Sequence, residues 1–98
     1  MTSVETPSFL EVPEAARVVC ESHQALANDE VACAVRRIGG GELVVITLTR
    51  FFDEGSRSLR GTVIAHMGDG RLVDFPSGDR IAVPSDMVID INGSAIGS

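Results

Sequence analysis

The chain has 98 residues, of which 44% are apolar and 22% charged, enough for one domain and too few for a nucleotide-binding domain joined to a substrate domain. Fourteen acids against eight bases give a net charge of −6, which sets a long-range penalty against phosphate backbones and disfavours nucleic acid as a partner. No apolar run approaches the roughly 20 residues of a membrane-spanning helix, and the first residues lack the basic, apolar, small-residue order of a leader, so a cytoplasmic location is expected.

Residues 1–10 read as a polar arm with Phe9 and Leu10 at its end. Pro13 suits a helix's first turn, where its missing N–H costs nothing, and Glu11 and Glu14 favour the positive pole of a macrodipole. Val12, Ala16, Val19, His23 and Leu26 fall at steps of four, three, four and three, which predicts a helix over 13–27 ended by Asn28. The segment 31–38 (VACAVRRI) fits a strand or a second short helix, with strand preferred because Gly39-Gly40-Gly41 follows as a hinge. The segment 42–52 (ELVVITLTRFF) is the most β-like, and its near-continuous apolar run predicts a strand buried on both faces.

Residues 53–60 (DEGSRSLR) form a polar loop. Strands are then predicted over 62–67, 71–75, 80–83 and 87–91, separated by Gly68-Asp69-Gly70, Pro76-Ser77-Gly78-Asp79 and Pro84-Ser85-Asp86. Alternation puts Val63, Ala65, Met67, Val73, Phe75, Ile81, Val83, Ile89 and Ile91 in one core. The fold class expected is therefore α+β: an N-terminal helix, then a small antiparallel sheet of five or six strands or a partly open barrel. The domain spans 1–92 and a Gly/Ser-rich tail follows over 93–98.

The stretch 42–91 resembles a small SH3-like barrel. The features are the strand LVVITL, the hook loop DEGSRSLRG, a strand opening at Gly61-Thr62-Val63, a tight hairpin, and Arg80 to Val88 as strand, one-turn helix and closing strand. A helix before five short strands is also similar to the Sm-like fold, although the acidic chain departs from the basic bodies of Sm-like RNA binders. The resemblance implies binding or assembly rather than a reaction.

All eight bases are arginine, a bias that points to a GC-rich bacterial genome. Residues 1–30 carry six acids and one Arg, whereas 31–60 carry five Arg and three acids. Cys20 and Cys33 do not form a paired CxxC set, so they read as reduced thiols packed as small apolar groups, with a single disulfide as the alternative in an exported protein. His23 on the helix stripe and His66 on a strand have no metal-site or triad spacing around them. No cofactor or metal site and no catalytic constellation is legible, although an enzyme centred on His66 is a further reading.

Without Trp or Tyr, an aromatic proline-peptide groove cannot form in its usual way. Arg50, Phe51, Phe52, Arg57 and Arg60 are the candidate contact residues, because one Phe of an adjacent pair in a strand must face outward. The function expected is a non-enzymatic small-barrel binding or assembly module acting on a protein partner or on itself. The alternatives are an acidic inhibitor or antitoxin-type protein that covers a basic nucleic-acid site, using Glu11, Glu14, Glu21, Asp29 and Glu30, and an RNA-binding barrel using the central arginines.

Overall fold

The computed structural model describes residues 7–39, 41–48 and 51–91. Nine strands follow in order: β1 (Ser8–Val19), β2 (Ser22–Ala25), β3 (Val31–Arg36), β4 (Leu43–Leu48), β5 (Phe52–Asp53), β6 (Ser58–His66), β7 (Gly70–Asp74), β8 (Arg80–Pro84) and β9 (Val88–Asp90). The only helical pieces among the described residues are single 3-10 turns at Ala27–Asp29 and Ser85–Met87. The protein is all-β, and the expectation of an α+β fold with a helix over 13–27 is corrected.

The physical reason lies in a second periodicity within the same residues. Ala16, Val18 and Cys20 are buried while Arg17 and Val19 are only partly so, a period of two that competes with the helical stripe. Tertiary pairing decides between them. Glu14 to Val19 pair antiparallel with Val63 to Ser58, and Ala16 to Val18 also pair with β9, so this half of β1 lies between two partners. Pro13 falls in the register break between Phe9 and Glu14, where no ladder N–H is required. Asn28 does take the left-handed conformation, at φ 64, with Asp29 at φ 61; the two turn the β2–β3 hairpin, as residues tolerant of positive φ do.

One sheet runs β8-β7-β6-β1-β9, with β5 also on β6, and the second runs β2-β3-β4. The two join where the Ile38 N–H donates to the Ala82 carbonyl at 2.9 Å. At that junction a Cβ on Gly70 would strike the Val83 carbonyl and the Ile38 side chain, so only glycine allows the approach. The result is a small curled sheet, a half-barrel. Its concave side holds Val18, Val35, Ile46, Leu59, Val63, Val73, Ile81, Val83 and Val88.

The strands expected over 62–67, 71–75, 80–83 and 87–91 are present. The expected loop over 53–60 is corrected, because β5 ends at Asp53 and β6 already starts at Ser58, paired with Val19. Met67 is only partly buried, and two further shifts occur. In β9 the buried residue is Val88, whereas Ile91 is exposed and Ile89 intermediate, because β9 meets β1 through the Val18↔Val88 pair. In β4 one face is open instead of covered: Leu43 is 48% and Val45 64% exposed. The segment 31–38 is strand over Val31–Arg36.

Cys20 and Cys33 form a disulfide, with Cα atoms 5.4 Å apart, a separation ordinary for such a bond. The reading of two reduced thiols is therefore replaced. The bond ties the end of β1 to β3 and so links the two sheets covalently.

Candidate functional site

β5 and the start of β6 build the region that the sequence singles out. The Glu54–Arg57 turn between them is organised by Asp53, whose carboxylate accepts the Gly55 N–H at 3.1 Å and the Arg17 Nη1 at 2.6 Å. Its pKa lies below the usual aspartate value, first through the Ser56 hydroxyl, against an opposing effect of burial, and then through Arg17 and the backbone N–H groups. Ser56 and the fully buried Ser58 share a hydroxyl hydrogen bond of 2.7 Å. Arg57 closes the turn at φ 52, and its carbonyl accepts the Cys20 N–H at 2.9 Å.

Phe51 and Phe52 separate as an extended pair must. Phe52 turns inward, packs on the core and stacks at a tilt on His23, with ring centres 5.2 Å apart. Phe51 faces out. The Arg60 N–H donates to the Phe51 carbonyl at 2.8 Å, and the two side chains line both of two neighbouring recesses. One, of about 420 Å³, is completed by Phe52 and Asp53; the other, of about 190 Å³, by Ala15, Gly61, Thr62 and Pro76.

Arg60 lies directly opposite Arg17 in the β1–β6 register. Cross-strand partners share a face, and like charges so placed repel. Asp53 relieves Arg17. Among the described residues Arg60 has no ion pair, so it offers a guanidinium at the surface of an acidic chain. Two other arginines of the 31–60 segment are ion-paired. Arg36 pairs with Glu21 at 2.6 Å and Arg37 with Glu42 at 3.7 Å.

Of the five expected contact residues, the structure brings Phe51 and Arg60 together at the surface, commits Phe52 mainly to the core, and sets Arg57 on the crest of the adjoining turn. Arg50 lies outside the described residues, as does the 93–98 tail. The Arg17–Asp53 clamp, 36 residues apart in sequence, is missed by the sequence reading because a helix over 13–27 points Arg17 elsewhere. The signal available was the Ala16-x-Val18-x-Cys20 alternation, which turns Arg17 outward on a strand.

No group of three or more His, Cys, Asp or Glu placed to hold a metal occurs among the described residues. No helix among them is long and apolar enough to cross a membrane. Comparison of the chain with protein-family models, with curated proteins and with solved structures yields no match.

Proposed function

We propose that the protein is a small-barrel binding module that works through protein–protein contact, without chemistry of its own, and that the Phe51–Arg60 surface is where the partner sits. The observation that supports this most is the pairing of the outward Phe51 ring with Arg60, which has no ion pair among the described residues. Aromatic and arginine side chains in adjoining recesses are the usual anchors of interfaces. The partner chemistry that fits is a protein segment offering an apolar side chain to Phe51 and a carboxylate to Arg60. The curled sheet, with its one-turn helix at Ser85–Met87 before β9, favours the SH3-like layout over the Sm-like one.

The disulfide bears on where this happens. Such bonds persist in oxidising compartments and are rare in the cytosol, so the tie between the sheets favours an oxidising location over the cytoplasmic one expected from the sequence.

The test is affinity capture from the source cells with the wild-type protein beside Phe51→Ala and Arg60→Glu variants of unchanged circular dichroism. A defined protein retained by the wild type and lost from both variants, with retention falling as salt rises, supports the reading. Identical retention by all three proteins overturns it.

A further inference from the structure

The β4 edge points to a second copy of this chain, and this inference uses a different surface from Phe51 and Arg60. β4 ends the β2-β3-β4 sheet with no partner on its outer side among the described residues. Its six residues, Leu-Val-Val-Ile-Thr-Leu, carry no charge, no proline and no glycine, so the edge lacks the devices that normally keep strands from pairing with other chains. The neighbouring Glu42 is already matched by Arg37.

The hydrogen-bonding phase of the edge is fixed. The Arg37 N–H donates to the Glu42 carbonyl at 2.8 Å, continuing the register in which Arg36 faces Leu43 and Val31 faces Leu48. In an antiparallel ladder bonded pairs alternate with unbonded ones. Val44, Ile46 and Leu48 therefore direct their backbone groups to β3, while Leu43, Val45 and Thr47 direct theirs to the open side. The β2–β3 hairpin agrees: the Leu26 N–H donates to the Glu30 carbonyl at 2.7 Å, which turns the even-numbered residues of β3 toward β2 and leaves the odd-numbered ones for β4.

We infer that two copies pair β4 to β4 antiparallel about a two-fold axis through Val45. That register sets Val45 opposite Val45 and Leu43 opposite Thr47, each a bonded pair, for a ladder of about six hydrogen bonds. The exposed Val45 and Leu43 side chains come together on the outer face, where they are otherwise left in water. Two copies that each carry −6 repel over most of their surface, and this neutral edge is where they approach at least cost. The strand pair alone is smaller than a standard interface of roughly 1,200–2,000 Å², so the dimer dissociates on dilution and, unlike contact at Arg60, strengthens with salt.

The test is sedimentation together with site-specific crosslinking on the full chain. The wild type passes from monomer to dimer with concentration, more readily at high salt, and Val45→Lys stays monomeric with unchanged circular dichroism, whereas Arg60→Glu still dimerises. Bonded antiparallel pairs place Cα atoms about 5.5 Å apart, within disulfide reach. Under mild oxidation Val45→Cys therefore gives a covalent dimer, and Leu43→Cys, held about 14 Å from its own copy by four residues of offset, does not. A wild type that stays monomeric at every concentration, or crosslinking of Leu43→Cys as fast as Val45→Cys, overturns the inference.

Discussion

Arg17 and Arg60 face each other across β1 and β6, and Asp53 bonds Arg17 at 2.6 Å. Among the described residues Arg60 has no ion pair, and it lies beside Phe51. Replacing Asp53 by Asn removes one negative charge beside Arg17 and Arg60, so capture of an acidic partner segment should hold or improve while Arg60→Glu abolishes it. Parallel capture with the two variants checks the sign; loss with both would place Asp53 itself in the contact.

The lowered pKa of Asp53 also sets an acid limb. A group whose folded pKa lies below its unfolded value stabilises the fold above the unfolded value, and that contribution disappears as pH falls through the folded one. Its reference value is 3.8, so wild-type stability should decline from just above that pH downward. Asp53→Asn should flatten this part of the profile in urea titrations at stepped pH. An unchanged limb would assign the loss to other carboxylates.

The disulfide closes a loop with a sequence separation of 13. Constraint of the unfolded chain by a loop of this length is worth about 3 kcal/mol. Double replacement of Cys20 and Cys33 by Ser should lower unfolding free energy by about 2–4 kcal/mol in equilibrium denaturation, and addition of a reductant to the wild type should reproduce most of that loss.

Phe51 and Phe52 should separate in the same assay. Phe52→Ala removes a ring packed on the core and on His23, at a cost of about 2–4 kcal/mol. Phe51→Ala removes an outward ring and should cost under about 1 kcal/mol. Equal losses would mean that both rings are structural.

Arg71 is 6% exposed on the concave side of β7, with Nη1 on the Gly70 carbonyl at 2.7 Å and Nε without a hydrogen-bond partner. No acid pairs with it among the described residues. Burying a charge in this way is costly, so Arg71→Met should leave stability unchanged or raise it by about 1–2 kcal/mol. A loss of similar size would show that the guanidinium is a favourable anchor.

The strands from Thr62 onward were legible because alternation and turn residues agreed there: Gly68-Asp69-Gly70 closes a hairpin through the Met67–Gly70 hydrogen bond, and Val63, Val73 and Val83 are all buried. The first thirty residues were not. Ala, Glu and Gln favour helix locally, and the pairing that overrules them comes from Ser58–Val63 and Val88–Asp90 far along the chain. The candidate site was half legible. An outward Phe of the Phe51-Phe52 pair follows from strand alternation and Arg60 from the arginine-rich 31–60 segment, but the Arg17–Asp53 clamp beside them depends on that same distant pairing. The Cys20–Cys33 bond is not legible because a leader pattern bears on the redox compartment and carries no information about the distance between two thiols.

Contact at Phe51 is read most directly by photocrosslinking in the source cells with a benzophenone amino acid in place of Phe51. One discrete protein adduct is expected, lost when Arg60→Glu is added and kept with Val45→Lys. The absence of any adduct, or an adduct insensitive to Arg60→Glu, would contradict that contact.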